Sequence, residues 1–151
     1  MKTFQTLSEL QPLVGHEVAV SDWITVTQEQ VNTFADATGD HQWIHVDVEK
    51  AKAGPFGAPI AHGFLTLSLL PKFFASAMEI VESKMGVNYG LNKVRFTSPV
   101  PVGSRLRGRM KLLACVPAQN NGMQLTWEVK VEREGSEKPV CVAESLALRF
   151  P

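Results

Sequence analysis

The sequence predicts an α+β fold in which an antiparallel sheet wraps one long buried helix. Three observations indicate this architecture: a helical segment in mid-chain whose first half is apolar, a series of alternating strand-like segments after it, and short turns between those strands. Strands joined by short turns run antiparallel. The sheet has one apolar face, and the mid-chain helix is the only element apolar enough to cover it. Residues 1–151 contain no evident repeat or linker, so we expect a single domain.

The elements before that helix are predicted from spacing and capping residues. Residues 3–15 have leucines at helical spacing, and residues 16–25 alternate partly, as a strand does. Residues 27–38 form the clearest amphipathic helix, with Thr27 as N-cap and Gln30 completing a capping box. Gly39 tolerates a positive φ and ends this helix. Residues 47–53 predict a second short helix, with Asp47 as its cap.

The central helix is predicted over residues 62–85. Its first half is apolar all round, so we expect it to be buried on every side. Pro71 should kink or divide it, because proline removes a hydrogen bond and clashes with the preceding turn. After Gly86 the pattern changes to a period of two, which predicts strands at 87–96, 105–116, 123–132 and 139–150. Asn120-Asn121-Gly122 is typical of a hairpin turn.

Composition excludes several functional classes. Fifteen basic and fifteen acidic side chains give a net charge of zero, so there is no general attraction to nucleic acid or to an anionic membrane. Residues 53–71 carry no charge, but glycines and prolines interrupt them too often for a membrane-spanning helix. The first residues lack an apolar signal region, so we expect a soluble cytoplasmic protein. Cys115 and Cys141 lie in strand-like runs without a Cys/His cluster, which predicts two reduced thiols and no zinc site.

A row of basic residues on one predicted strand has two interpretations. The row consists of Arg105, Arg107, Arg109 and Lys111. It could bind the phosphate of a ligand, or it could be a solvated sheet face paired with Glu128 and Glu132 on the next strand. We favour the paired face, because the opposite charges lie where a hairpin partner would place them.

The chemistry is predicted to lie in residues 39–47. Asp40 and His45 are five residues apart across the turn that Gly39 begins. A carboxylate and an imidazole held in this way can converge on one water molecule, and histidine is the usual general base near neutral pH. The alternative is structural: an aspartate that caps a turn and a histidine satisfied in the core. His41 is expected to be exposed on the turn.

Two motifs resemble those of a known family. Gly39-Asp40 with Ile44-His45-Val46-Asp47, followed by Ala61-His62-Gly63, is similar to the MaoC-like dehydratases, which include R-specific enoyl-CoA hydratases. The chain departs from the usual pattern at Gln42-Trp43, where the family more often has Asn-Pro. This variant, with residues 88–96 and 99–103, resembles the branch that includes the NodN-like proteins. The resemblance covers nearly the whole chain.

The resemblance implies a hot-dog fold, in which a curved antiparallel sheet wraps around a long central helix. It implies a homodimer with the active site at the subunit interface, and the hydration of trans-2-enoyl-CoA to (R)-3-hydroxyacyl-CoA. Asp40 and His45 would bind the catalytic water, and the backbone N–H of Gly63 would hold the thioester oxygen. No metal is expected, and no cofactor apart from the coenzyme A of the substrate.

Other roles implied by the resemblance remain open at this stage. His62 could line the path of the thioester or could be bonded to backbone. Asn92, Lys93 and Arg95 are candidates for contact with the coenzyme A arm or with a partner subunit. Pro71 occupies the position where some related hydratases have a serine. Two alternative functions on the same fold are an acyl-CoA thioesterase and a non-catalytic acyl-CoA-binding dimer.

Overall fold

The computed structural model describes residues 1–151 and contains two sheets and five α-helices. The elements before the central helix are β1 (Lys2–Phe4), a 3-10 helix (Leu7–Leu13), β2 (Glu17–Val20), β3 (Ile24–Thr25), α1 (Gln28–Thr38), α2 (Trp43–Val46) and α3 (Val48–Lys52). The remaining elements are α4 (Gly63–Ser68), α5 (Leu70–Ala77), β4 (Met78–Ile80), β5 (Met85–Arg95), β6 (Arg105–Pro117), β7 (Met123–Arg133) and β8 (Cys141–Phe150).

The main sheet is antiparallel, as predicted, but its strand order does not follow the chain. The order is β2-β6-β7-β8-β5, and β3 also pairs with β6. β5 pairs with β8 and not with β6, the strand that follows it. Both edges of β6 are already occupied, one by β7 and the other by β2 and β3. β5 therefore lies at one edge of the sheet.

The central helix is shorter than predicted. It is divided into α4 and α5 beside Pro71, as expected, but it ends at Ala77 and not near residue 85. Met78–Ile80 is extended instead, and its backbone pairs in parallel with Lys2–Phe4. No helix has both the length and the apolar composition needed to cross a membrane.

One face of the central helix packs against the sheet. Phe73 is fully buried, and it lies so close to Gly108 that a Cβ atom there would approach the Phe73 Cβ to 3.1 Å. The core on both sides of this contact includes Leu65, Leu69, Ala77, Met110, Leu112, Val129, Val131 and Ala143. The expectation that the helix is buried on every side is wrong, because the side chain of Phe64 is 69% exposed. The fold is the hot-dog arrangement, with a helix packed on a curved antiparallel sheet.

The helix ends that lead into the motif region form as the sequence predicts. The Thr27 hydroxyl accepts a hydrogen bond from the Gln30 N–H at 3.1 Å, and Gly39 ends α1 with a φ of 81°. The return half of the capping box is missing, since the Gln30 side-chain oxygen has no hydrogen-bond partner. Asp47 caps α3 by accepting from the Lys50 N–H. The sequence did not predict α2, which forms where a turn was expected.

The basic row on β6 is a paired face, as favoured above. Arg107 lies 2.6 Å from Glu132, and Arg109 forms two hydrogen bonds with Glu17. Arg105 pairs with Glu134 at 2.9 Å. Lys111 stands opposite Glu128 in the register of β6 and β7. The arginines are therefore already neutralised by carboxylates and do not form an anion site.

Candidate active site

The residues between α1 and α4 bring the predicted catalytic groups to the start of the central helix. Gly39 reverses the chain, and Asp40 follows in the turn. α2 then holds His45, and its Ile44 carbonyl accepts the N–H of Ile60 at 3.0 Å. This contact fixes the later loop beside α2. Asp40, His45 and His62 consequently lie together, with a ligand-type atom of each within 4.8 Å of the others.

His45 is held in one tautomer. Its side chain is buried, with 6% exposed, and its Nδ1 lies 2.6 Å from the carbonyl oxygen of Ile60. A carbonyl oxygen can only accept a hydrogen bond, so Nδ1 carries the proton and Nε2 keeps its lone pair in the neutral ring. Burial lowers the pKa of His45, and the neighbouring His62 lowers it further. His45 is therefore a neutral imidazole with a free basic nitrogen.

His62 lies against His45 and contacts Asp40. The Nε2–H of His62 donates to the backbone carbonyl of Asp40 at 3.0 Å, and the ring is 2% exposed. His62 is thus hydrogen-bonded to the backbone, which is one of the two roles that the sequence left open for it. Its Nδ1 is buried and has no hydrogen-bond partner. His62 ties the turn that contains Asp40 to the start of α4.

Asp40 is the exposed member of this cluster. Its side chain is 49% exposed, and one carboxylate oxygen accepts the N–H of Gln42 at 3.3 Å. The other oxygen lies 4.0 Å from Nε2 of His62. Two imidazoles and a carboxylate can also bind zinc or another divalent metal. For that purpose the cluster would offer one nitrogen of each imidazole and the Asp40 carboxylate.

A cavity of about 360 Å³ opens beside His45. Gly63 lines it and is the first residue of α4, so its N–H has no acceptor within the helix. A Cβ atom at this position would lie 2.9 Å from the ring of Phe96. Only glycine therefore fits between Phe96 and the cavity. The other lining residues include Ile60, Ala61, Thr66, Val100 and Val140.

Several residues singled out in the sequence lie away from this cavity. His41 is exposed and pairs with Asp36 at 2.9 Å. Trp43 packs against Gly54, where a Cβ atom would meet its ring at 2.9 Å. Asn92, Lys93 and Arg95 all lie on exposed β5 and do not line the cavity. Asn92 donates instead to Glu144 at 2.8 Å, and Arg95 to the carbonyl of Val94.

Phe96 and Thr66 line the cavity but were not singled out from the sequence. Phe96 follows β5 directly and covers Gly63, and Thr66 lies one helical turn after Gly63. A signal for Thr66 was present, because Thr66 and Ser68 are the only polar residues in the apolar run 63–70. Phe96 carried no such signal, since an aromatic residue at the end of a strand is ordinary.

Comparison with known proteins identifies relatives over almost the whole chain. The MaoC like domain family matches residues 9–134. The 3-hydroxyacyl-thioester dehydratase Z of Mycobacterium tuberculosis is 55% identical over 146 residues, which is 97% of each chain. Nodulation protein N of Rhizobium meliloti is 47% identical over 145 residues, covering 95% of this chain and 90% of that protein. The solved monoamine oxidase regulatory protein from Archaeoglobus fulgius superimposes with a TM-score of 0.78 at 26% identity, over 99% of this chain and 97% of that one.

Proposed function

The chain belongs to the MaoC like domain family, and from that premise we propose that it hydrates a trans-2-enoyl-CoA reversibly to an (R)-3-hydroxyacyl-CoA. The observation that carries the proposal is the state of His45: a buried neutral imidazole with a free Nε2, beside Asp40 and next to the cavity that Gly63 lines. The name of the 55% identical relative, a 3-hydroxyacyl-thioester dehydratase, supports the same reaction.

In the first step His45 acts as general base. Nε2 removes a proton from a water molecule as the water oxygen attacks C3 of the enoyl thioester. The double-bond electrons move toward the thioester, and an enolate forms. A base must be unprotonated at the working pH, and the lowered pKa of His45 meets that requirement. Asp40 accepts the second O–H of the water and so orients the attacking lone pair.

Gly63 stabilises the enolate. Its N–H lies at the amino-terminal end of α4, where the unpaired N–H groups and the helix dipole favour negative charge. A donor that is already in position costs no reorganisation when the charge develops. The absence of a side chain at Gly63 lets the Phe96 ring pack against the start of α4.

In the second step the proton returns to carbon. The imidazolium of His45 transfers its proton from Nε2 to C2, and the enolate collapses to the 3-hydroxyacyl thioester. One water has then been added, and His45 is neutral again. Because one group handles both water and C2, oxygen and hydrogen add to the same face of the double bond. The thioester itself acidifies C2, so no metal is needed for this chemistry.

We also propose that the protein forms a homodimer through β5. This strand lies at the edge of the main sheet, so the backbone groups on its outer side have no strand partner. Large apolar side chains on it are exposed: Met85, Val87, Tyr89 and Leu91. An unprotected apolar edge favours pairing with a second copy of the same strand, related by a twofold axis.

Purified protein mixed with crotonyl-CoA tests the activity. Hydration removes the conjugated double bond, so the absorbance of the enoyl thioester should fall and 3-hydroxybutyryl-CoA should appear. A thiol reagent in a parallel reaction detects free coenzyme A, which only the thioesterase alternative releases. If enoyl-CoAs of short and long chain are all unchanged while acyl-CoA still raises the melting temperature, the protein is a binding dimer and the hydratase proposal is wrong.

A further inference from the structure

Thr66 has a buried hydroxyl group without a hydrogen-bond partner. The residue is 2% exposed, and its Oγ1 contacts no donor or acceptor in the protein. A buried polar group left unpaired destabilises the fold, so native proteins rarely retain one without a reason. The hydroxyl is therefore a candidate for a bond that forms only with a ligand.

Two other helical threonines form a hydrogen bond that the Thr66 hydroxyl does not form. Thr33 donates to the carbonyl of Glu29 at 2.9 Å, and Thr38 donates to the carbonyl of Phe34 at 2.7 Å. Both use the acceptor four residues earlier, which is the usual choice for threonine in a helix. For Thr66 that acceptor would be the carbonyl of His62. The hydroxyl does not bond to it.

The position of Thr66 places this hydroxyl in the candidate active site. Thr66 lines the cavity together with His45 and Gly63. It follows Gly63 by three residues, which puts both on one face of α4. Side chains in a helix tilt toward its amino-terminal end, so Thr66 leans toward the N–H of Gly63.

We propose that Thr66 is a catalytic residue that supplies the second hydrogen-bond donor for the thioester oxygen. A carbonyl oxygen has two lone pairs, and the Gly63 N–H would occupy one of them. The Thr66 O–H donates to the other. Both bonds strengthen as the oxygen gains negative charge in the enolate, so the contribution of Thr66 appears mainly in the rate. This inference rests on the proposed hydratase function and deepens it.

The test uses two substitutions at one position. Thr66→Val keeps the shape of the side chain but removes the donor, and Thr66→Ser keeps the donor. We expect Thr66→Val to lower kcat on the order of 10²-fold with little change in KM, as for other losses of one such donor. Thr66→Ser should retain most of the activity. Both variants should keep the pH profile of the parent, since His45 still titrates. A Thr66→Val enzyme with the kcat of the parent would overturn the proposal.

A second measurement does not depend on turnover. Acetoacetyl-CoA absorbs in the near ultraviolet as its enolate, and donors aimed at the thioester oxygen increase the enolate fraction of the bound thioester. The parent protein should show this band, Thr66→Ser should keep it, and Thr66→Val should lose most of it. An equal band in Thr66→Val contradicts the role of Thr66. If the parent shows the band but hydrates no enoyl-CoA, the proposed function fails while the oxyanion role of Thr66 stands.

Discussion

The imidazole rings of His45 and His62 are stacked, with centroids 3.9 Å apart and planes inclined by 25°. Two positive charges at this separation repel each other, so protonation of one ring disfavours protonation of the other. This repulsion adds to the larger effect of burial, and both lower the pKa of His45. His62 thus has two effects on the site. It holds the Asp40 turn through the backbone, and it helps to keep His45 neutral.

The lowered pKa of His45 predicts the pH dependence of the reaction. If His45 is the base, kcat/KM for hydration stays constant down to a pH below 6.5, the ordinary value for histidine, and then falls tenfold per pH unit. Replacing His62 with Gln removes the imidazole whose repulsion lowers the pKa of His45, so the acid limb should move to higher pH. A profile of kcat/KM against pH measures both effects. An acid limb above 6.5 in the parent would contradict the assignment.

Substitution of the two predicted catalytic side chains should separate their roles. His45→Gln removes the base and should lower kcat by about 10²–10⁴-fold, the usual contribution of general acid–base catalysis. Asp40→Asn should have a smaller effect, because an amide oxygen can still accept the Gln42 N–H and one O–H of water. Steady-state rates with crotonyl-CoA measure both changes. Asp36→Asn is the matched control, since Asp36 pairs only with exposed His41. Equal losses in Asp36→Asn and Asp40→Asn would argue against a catalytic role for Asp40.

The contact between Gly63 and Phe96 predicts a steric effect on activity. In Gly63→Ala, the new methyl group would lie 2.9 Å from the Phe96 ring, so the ring must move or α4 must shift. We expect a marked fall in kcat/KM, although the backbone N–H is still present. Phe96→Ala removes the obstacle, and the double variant should regain activity relative to Gly63→Ala. The coupling between the two substitutions is measured by a double-mutant cycle. Strict additivity would show that the clash is not the cause.

The apolar edge of β5 predicts the oligomeric state. Leu91→Glu places a charge among side chains that a second copy would bury, so it should convert a dimer to a monomer. Sedimentation velocity or light scattering after size exclusion measures the change in mass. Val14→Glu serves as the control, because Val14 is also an exposed apolar residue but lies outside β5. A parent protein that is monomeric at micromolar concentration would refute the dimer.

The proposed mechanism predicts insensitivity to metal chelators. Prolonged dialysis against EDTA should leave kcat unchanged. Each proton transfer is assigned to His45, and the thioester group itself activates C2 and C3 of the substrate. Added zinc should inhibit if it binds to this cluster, since one nitrogen of His45, one nitrogen of His62 and a carboxylate oxygen of Asp40 lie within 4.8 Å of one another. Loss of activity on dialysis, restored by zinc, would show that this cluster is a metal centre.

The elements predicted well from sequence are those fixed by local signals. Thr27 and Gly39 mark the ends of α1 through hydrogen bonds and a backbone angle that depend on adjacent residues alone. The strands after Gly86 follow from alternation, which a half-buried sheet imposes directly. The end of the central helix was predicted wrongly because it depends on a distant part of the chain. Ile80 and Val81 continue the helical spacing, but pairing with residues 2–4 overrides it, and that partner lies far away in the sequence.

In the candidate site, too, features set by nearby residues were predicted and features set by distant residues were not. The spacing of Asp40 and His45 indicated that they converge, and the structure places them in one cluster. The tautomer of His45 could not be predicted, since it is set by the carbonyl of Ile60, fifteen residues later. The sequence signalled Thr66 only as a polar residue, because the missing hydrogen bond of its hydroxyl group is visible in the structure alone.

The position of β8 between β7 and β5 has a consequence for synthesis on the ribosome. β5 leaves the exit tunnel well before its only partner in the sheet, so its backbone groups have no strand partner until Cys141–Phe150 has also emerged. The protein therefore cannot complete its sheet strand by strand during translation. An mRNA truncated before codon 141 would yield a chain in which β5 has no partner strand. Such an unpaired strand is prone to aggregate and is a target for chaperones and proteases.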